Sequence, residues 1–310
     1  MHNVNFYSFR VLTKKGSSKS FRLGDLKIQP DISAYKIIKD YFNNYKNKPI
    51  EYGVSKTIAS LDNHAQLFFD DKKRLIYGYA KVGRYGEQAD IKDKKLKNTK
   101  YTTKIDDVIF MKRYVLIYLP DNIDEGLVAI HSNNNINARG ILFDSIQLFM
   151  KKKYNLEVRL NPLQHKKIPD SILDAELKEI KAIGFKPHLD ITDAKGKKST
   201  HIETDLIFKN TGGIFGNLRK IMNKRVGNIM EVLEKESDDI KIKLKLGSRD
   251  IVFNYQSILK KGISIELDDS KLNVNISTGI PDLSYLHKEV KDIANEILLE
   301  IHSGQKGIKI

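Results

Sequence analysis

The strongest pattern in the chain runs over residues 199–236 and predicts a strand, a tight turn and a long amphipathic helix. Ile202, Leu206 and Phe208 give the strand one apolar side, and a Thr-Gly-Gly sequence ends it. After the glycines, apolar residues recur at steps of three and four up to Leu233, which is the period of one helix face. A strand and a helix that are each apolar on one side must be covered by another layer, so the segment predicts an α+β fold.

Positive charge is concentrated at the glycine end of this predicted helix. Five basic residues and no acidic residue lie between Lys209 and Arg225. Those that we expect to lie off the apolar stripe, free to contact a polyanion, are Arg219, Lys220, Lys224 and Arg225. The whole chain carries a formal net charge of +15, which favours an anionic partner such as nucleic acid. The alternative is that a lysine-rich composition arose in an AT-rich genome without selection for binding.

Length and composition indicate a globular chain of two domains. The chain has 310 residues, of which 40% are apolar and 30% charged, a composition typical of folded rather than disordered proteins. The best boundary is the proline-containing basic stretch 162–169, which reads as a linker. We therefore predict a β-rich α+β domain over 1–161 and an α+β domain over 170–310, each with a mainly antiparallel sheet packed against a few helices.

Alternation and helical periodicity predict the elements of both halves. In the first half, strands 4–12 and 20–28 form a hairpin, Asp31 caps a helix over 32–46, and a β-rich region precedes a buried helix over 141–153. In the second half, the long helix leads into an antiparallel meander and then a helix over 282–302, followed by a loose tail. The predicted strands of that meander are 240–246, 250–256, 263–267 and 272–276.

A second basic region, residues 72–104, contains eleven Lys and Arg residues against three Asp and Glu residues. Its last part, 86–104, predicts a polar hairpin that projects from the sheet, and tyrosines are interleaved with the basic residues. Proteins that bind single strands combine such features, because an aromatic ring stacks on any base while Lys and Arg contact phosphates. The predicted nucleic-acid contacts here are Lys72, Lys73, Arg74, Lys81, Arg84, Tyr85, Lys94 and Lys95. The alternative is an ordinary solvated hairpin in a lysine-rich protein.

An asparagine-rich loop before Gly140 is a further candidate for anion binding. A strand, a polar loop and a glycine at a helix start can hold an anion on free backbone N–H groups, and Arg139 would add positive charge. The Gly-Lys-Ser/Thr end of a P-loop is missing. An ordinary loop with a helix cap explains the same residues.

Catalytic and metal-binding patterns are weak throughout the sequence. The eight histidines include no pair at the spacing of metal ligands, so we predict neither a metal site nor a cofactor. The nearest match to a nuclease site is Glu203 and Asp205, followed by Lys209, but the spacing differs from the usual acidic pair. The polar side of a strand explains these acids more simply.

Two features that would indicate a membrane or an oxidising environment are missing from the sequence. The chain contains no run of eighteen apolar residues and no cysteine. The first predicts no membrane-spanning helix and no membrane partner. The second predicts no disulfide and no thiolate metal site. The first residues alternate like a strand instead of forming a signal peptide. Together these features predict a cytoplasmic protein.

Segments in both halves of the chain carry a family resemblance. In the first half they read YGYAKVGRYGEQADIKD over 77–93, DDVIFMKRYVLIYLPDN over 106–122 and EGLVAIHSNNNINARGILFDSIQLF over 125–149. In the second half they read LKEIKAIGF over 177–185 and TGGIFGNLRK over 211–220, followed by the strand meander. In this order the pattern resembles uncharacterised bacterial proteins from mobile-element and phage-defence loci, abortive-infection-type genes among them. The resemblance implies a bacterial cytoplasmic protein that acts in phage defence, and it implies no catalytic residues.

These observations lead to three hypotheses about function. The first is a non-enzymatic protein that binds or senses nucleic acid as a component of a phage-defence system. The second is a nuclease-like effector enzyme. The third is a protein–protein adaptor whose partner, for example a phage or defence protein, binds the basic faces. The sequence does not distinguish DNA from RNA, and it leaves homo-oligomer formation open.

Overall fold

The computed structural model describes residues 2–13, 19–51, 56–61, 66–133, 136–163, 174–185, 204–210, 217, 219, 227–246, 249–255, 264–302 and 308–310. In this part of the chain the fold is mixed α and β, and it is dominated by one antiparallel sheet of 14 strands. A separate two-stranded sheet and four α-helices accompany the large sheet within these residues. The coarse prediction of a mainly antiparallel sheet with a few helices is confirmed.

The element bounds follow the chain in order. The strands of the first half are β1 (Asn3–Leu12), β2 (Pro49–Glu51), β3 (Thr57–Ser60), β4 (Leu67–Asp70), β5 (Leu75–Arg84), β6 (Asp90–Lys92), β7 (Thr99–Thr102), β8 (Ile109–Tyr118), β9 (Gly126–Asn133), β10 (Ile136–Asn137) and β11 (Glu157–Pro162). Those of the second half are β12 (Glu176–Phe185), β13 (Thr204–Lys209), β14 (Asp239–Leu246), β15 (Arg249–Asn254) and β16 (Ser264–Glu266). The helices are α1 (Ala34–Asn44), α2 (Arg139–Tyr154), α3 (Gly227–Glu236) and α4 (Leu283–Ile301).

Strand β1 joins the two halves of the chain in one sheet. The order across the sheet is β13-β12-β14-β15-β16-β1-β9-β8-β5-β3-β2, with β10 beside β9, β11 beside β1 and β4 beside β5. One edge of β1 pairs with β9. On the other edge, Asn3 to Asn5 pair with β16, and Tyr7 to Leu12 pair with β11. Strands from both halves are therefore continuous through β1.

Two apolar cores lie on opposite faces of this sheet. Successive strand residues point to opposite faces, so in β5 the side chains of Leu75 and Tyr79 enter one core while those of Ile76 and Ala80 enter the other. Helices α3 and α4 contribute to the first core, and α1 and α2 to the second. Helix α4, from the second half, also packs against β5 and β9 of the first half.

The division into two domains stays a prediction. Most of the predicted linker 162–169 lies outside the described residues, because the structure describes only Pro162 and Leu163 of it. The β1–β16 pairing and the contacts of α4 show that the two halves share a sheet and a core in the described part of the chain.

Two predictions close to the N-terminus are wrong. Residues 20–28 form only isolated bridges and no strand, because β1 uses one edge for β9 and the other for β16 and β11. Helix α1 is capped by Ser33 and not by Asp31, since the Ser33 hydroxyl accepts the backbone N–H of Lys36 at 3.2 Å. Asp31 instead adopts a left-handed backbone conformation with φ of 62°.

The predicted strand over 272–276 is also wrong, and asparagine side chains explain why. Asn275 Oδ1 accepts the backbone N–H groups of Ser277 and Thr278 at 2.9 and 3.1 Å. Asn273 has a positive φ of 46°. Asparagine side chains that hydrogen-bond the nearby backbone favour turns over strands, and the alternating pattern of apolar residues does not reveal this.

The C-terminal helix is confirmed as α4, but the tail after it is not loose at residues 308–310. Ile308 and Ile310 are 4% and 3% exposed. The Ile310 N–H donates to Asn295 Oδ1 at 2.8 Å. The last residues therefore belong to the core that α4 covers.

The long helix predicted after the glycine turn is only partly described. Its last ten residues form α3, and most of residues 211–226 lie outside the described residues. Asn217 pairs with Glu176 of β12 in an isolated antiparallel bridge. The predicted helix therefore does not include Asn217.

Candidate nucleic-acid interface

The predicted projecting hairpin is present as β6 and β7. Among the described strands these two pair only with each other, and all of their residues are exposed. The hairpin is attached at its base, where the Thr103 N–H donates to Ala89 O and the Gly86 N–H donates to Ile105 O, each at 2.8 Å. The Thr103 side chain is buried there and accepts the Ala89 N–H at 2.8 Å. The base is thus fixed while the strands stand clear of the main sheet.

Lysines dominate the surface of this hairpin. Seven lysines and three aspartates lie between Lys92 and Lys112. The aspartates hold turns: Asp93 accepts the Lys97 N–H at 3.1 Å, and Asp107 accepts the Lys104 N–H at 2.8 Å and the Tyr101 hydroxyl. In the described part of the chain, six of these lysines have no carboxylate within 4 Å, namely Lys112 on β8 and, on the hairpin, Lys94, Lys95, Lys97, Lys100 and Lys104. We name the last five the hairpin lysines.

Apolar side chains are exposed beside the hairpin lysines. Leu96 is 75% exposed at the tip, and Tyr101 is 50% exposed on β7. At the base, Ile105 is 66% exposed, and Ile109 and Phe110 at the start of β8 are 45% and 39% exposed. Apolar and aromatic groups interleaved with cations can contact both the bases and the phosphates of a single strand.

Lys81 and Lys112 extend the positive surface onto the main sheet. The two residues are direct partners across β5 and β8. The Lys112 ammonium lies 5.9 Å from the centre of the Tyr79 ring. Arg84 and Tyr85 follow at the end of β5, where Arg84 is exposed and Tyr85 is half-buried.

The basic region 72–104 does not form one surface. Lys72 and Lys73 lie in the turn between β4 and β5, where their backbone N–H groups donate to Asp70 Oδ1. The β6–β7 hairpin follows the other end of β5. A strand of ten residues spans about 33 Å. The structure therefore places Lys72 and Lys73 far from Lys94 and Lys95.

Arg74 and Arg139, both predicted as anion contacts, have structural partners within the fold. The Arg74 Nε–H donates to Asp121 Oδ2 at 2.8 Å, and its guanidinium lies 5.6 Å from the Tyr35 ring. Arg139 donates to Leu160 O at 3.0 Å and lies 5.4 Å from the Tyr7 ring. The sequence does not reveal these partners because they are distant along the chain.

Arg219 is held in the same way, by Asp174. The Arg219 Nε–H donates to Asp174 Oδ1 at 2.8 Å, and this contact lowers the pKa of the Asp174 carboxyl. Lys220, Lys224 and Arg225 lie outside the described residues. Arg219 also follows β13, which is eight strand spacings from β5 in the sheet, or about 38 Å along it. Arg219 therefore does not adjoin the hairpin lysines.

The described contacts of Asp205 do not support a catalytic role. Asp205 Oδ2 lies 2.8 Å from the Lys181 ammonium, and this hydrogen bond lowers the pKa of the carboxyl. Glu203 lies outside the described residues. Among the residues that the structure describes, no group of three His, Asp or Glu side chains could hold a metal ion.

A cleft of about 1260 Å³ lies between the ends of β14 to β16 and helix α4, and the sequence did not indicate it. Most of its charges are paired. Arg249 bridges Glu289 and Asp292 on α4 at 3.2 and 2.5 Å, and Lys243 lies 3.7 Å from Asp250. The cleft is therefore less positive than the hairpin.

Two comparisons with known proteins gave no match: no protein-family model matches the chain, and neither does any curated protein. The family resemblance predicted from the sequence therefore stays a prediction. Separately, no helix within the described residues is long and apolar enough to cross a membrane.

Proposed function

We propose that this protein binds nucleic acid and uses the β6–β7 hairpin to contact a single strand. The proposal rests mainly on the five hairpin lysines, which have no carboxylate within 4 Å in the described part of the chain. The half-exposed ring of Tyr101 lies beside them. Lysines that neutralise phosphates release counterions from the strand, which drives binding. A phage-defence role in the bacterial cytoplasm is part of the proposal and rests on the family resemblance.

The shape of the hairpin suits an extended polyanion. Within the part of the chain that the structure describes, its strands pair only with each other and are exposed, so both sides of the ribbon are open to a ligand there. The Lys81–Lys112 pair and Arg84 lie beyond its base and continue the positive surface. Stacking on Tyr101 requires no particular base, so we expect weak sequence preference.

A binding titration across salt concentrations tests the proposal. Fluorescently labelled single-stranded DNA, single-stranded RNA and duplex DNA would each be titrated with the protein at several salt concentrations. The informative variant is Lys94→Ala/Lys95→Ala/Lys97→Ala. If each lysine neutralises one phosphate, the slope of log K against log salt should fall by about 2 for a single strand.

A matched control removes the same charge elsewhere. Lys36, Lys48 and Lys152 are exposed on or near α1 and α2, and their triple alanine variant should keep most of the wild-type slope. Equal losses in the two variants would show that only net charge matters. The absence of affinity for all three polymers at low salt would refute the proposal.

A protein–protein adaptor is the second candidate, and the exposed apolar side chains at the hairpin base favour it. Ile105, Ile109, Phe110 and Met111 are between 37% and 66% exposed. Ile109 and Met111 lie on the same side of β8, and exposed apolar side chains that lie together often mark protein contacts. Light scattering over a range of protein concentrations, with wild type and Ile109→Ser, would detect self-association through this surface. A monomer at every concentration would exclude homo-oligomer formation, and the same method with a candidate phage protein would test the adaptor.

A further inference from the structure

Three aromatic rings from three elements form a nearly parallel stack at the end of β5 opposite the hairpin. Phe68 of β4 and Tyr77 of β5 are cross-strand partners, and their ring centres are 5.3 Å apart with planes inclined by 18°. The His287 ring of α4 also stacks on Tyr77, with the ring centres 3.7 Å apart and the planes inclined by 17°. We call Phe68, Tyr77 and His287 the ring stack.

Buried contacts hold the inner end of the ring stack. Nδ1 of His287 lies 2.7 Å from the hydroxyl of Tyr114, which is fully buried between β5 and α4. Burial, followed by the charges of Lys291 and Lys73, lowers the pKa of His287 to about 4. The imidazole is therefore neutral at pH 7 and stacks as an uncharged ring.

The outer end of the ring stack is open. Phe68 is 48% exposed on β4, which pairs only with β5 among the described strands. A single exposed aromatic residue is ordinary, but this one ends a row whose planes are already aligned. A further flat ring could continue the row by covering the outer face of Phe68.

Cations lie beside this end of the sheet. Lys72 and Lys73 are exposed in the β4–β5 turn. Lys73 and Lys291 are close enough to His287 for their charges to lower its pKa. Among the nearby acids, Asp71 is paired with Lys39 at 2.6 Å, and Asp70 accepts backbone N–H groups of the turn. A ring stack flanked by lysines presents the two groups that a nucleotide requires, a stacking surface and a cation for its phosphate.

The ring stack and the hairpin lie near opposite ends of β5, and the face that carries Tyr77 is covered between them. Tyr79 on that face is 2% exposed, and its hydroxyl donates to Pro281 O at 2.6 Å. A pocket of about 390 Å³ lined by Gln66, Tyr79 and Lys112 opens beside this covered stretch. Tyr77 and Arg84 are about 23 Å apart along β5. Single-strand sites cover about 4–16 nucleotides, so one strand could reach both.

We propose that the exposed face of Phe68 is a stacking platform for a nucleobase of a bound single strand. The inference rests on the proposed nucleic-acid binding and adds a second contact point to it. It predicts that removal of the ring at position 68 weakens binding without changing its salt dependence, whereas removal of a lysine changes the salt dependence. A stacked base releases no counterion, whereas a lysine–phosphate contact does.

Phe68→Leu separates these two kinds of contact. Leucine keeps an apolar side chain at an exposed position but removes the ring. Loss of one base–ring contact should weaken binding of a single-stranded oligonucleotide by about 5- to 150-fold. The salt slope should stay at the wild-type value. Tyr285→Leu, at a ring that is 51% exposed on α4, is the matched control and should bind like wild type.

Phe68→Trp supplies a direct signal, because the chain contains no tryptophan. This variant should retain wild-type affinity, and the emission of its indole should be quenched when the strand binds. An oligonucleotide with abasic sites throughout should bind wild type and Phe68→Leu equally. If wild type binds but Phe68→Leu binds as tightly and the F68W emission is unchanged, the platform is refuted while the proposed function stands. If wild type binds no nucleic acid, both proposals fail.

Discussion

His2 Nδ1 lies 2.9 Å from His131 Nε2, and the two rings stack with their centres 5.1 Å apart. Both side chains are buried, with 4% and 2% exposed, next to the point where β1 pairs with β16 and β9. Burial is the main cause that lowers the pKa of both histidines. For His131, the charges of His2 and Arg113 add to the effect of burial, and the pKa falls to about 3. The folded protein therefore holds this pair neutral at pH 7.

The pair predicts that stability falls in mild acid. In the unfolded chain each histidine takes up a proton near its ordinary pKa of 6.5, but in the folded chain its pKa is lower, and for His131 it is about 3. The unfolded state therefore binds more protons below pH 6.5, and the free energy of unfolding decreases as the pH falls. The slope contributed by His131 approaches about 1.4 kcal/mol per pH unit, and His2 contributes a slope of the same sign. Urea unfolding at pH 7.5, 6.0 and 5.0 measures it.

The His2→Gln/His131→Gln variant identifies the source of that slope. Glutamine keeps a polar side chain but does not titrate in this range. We expect the double variant to be less stable at pH 7.5 and to lose less stability between pH 7.5 and 5.0. A variant with the wild-type slope would show that other groups cause the acid sensitivity.

The buried tail predicts that the last three residues contribute to stability. Ile308 and Ile310 enter the α4 core, and the Ile310 backbone is hydrogen-bonded to Asn295. Ile308→Ala or Ile310→Ala should each lower the free energy of unfolding by about 2–5 kcal/mol. Lys309 lies between them and is exposed, so Lys309→Ala is the control and should have little effect. Equal stability of all three variants would mean that the tail is loose after all.

Arg139 is predicted to matter for folding and not for binding. Lysine cannot reproduce both its hydrogen bond to Leu160 O and its stacking on Tyr7. Arg139→Lys should therefore lower the free energy of unfolding by about 1–2 kcal/mol, with little change in oligonucleotide affinity. Arg159→Lys, at an exposed position in β11, should leave both unchanged. A loss of affinity at full stability in Arg139→Lys would restore the original prediction of an anion contact.

The sequence predicted the elements whose pattern is local. Strict alternation located β14, and helical periodicity located α4, because each pattern is contained within one element. The partners of charged and aromatic groups were not predictable in this way. Arg74 pairs with Asp121, 47 residues away, and Tyr77 stacks on His287, which comes from the other half of the chain. Such contacts depend on strand order and register, which a single sequence does not specify.

Strand order also explains why the basic residues of 72–104, which are close in sequence, lie apart in the structure. Residues 72–104 are adjacent in sequence, but β5 separates their two ends. The surplus of positive charge over 72–104 is therefore divided between the two ends of β5. Lys94 and Lys95 stay candidates because the hairpin is self-contained, so its sequence and its surface coincide.

Replacing the hairpin by a short turn tests its role in full. Ala89 and Thr103 already face each other through two hydrogen bonds of 2.8 Å, so an Asn-Gly turn can join them in place of residues 90–102. Because β6 and β7 pair with no other strand in the described ranges, we expect a change of less than about 1 kcal/mol in the free energy of unfolding. The shortened protein loses four of the five hairpin lysines, so its salt slope for a single strand should fall by up to about 3. Urea unfolding and the binding titration measure the two quantities, and a shortened protein that is stable and binds like wild type would exclude the hairpin as the interface.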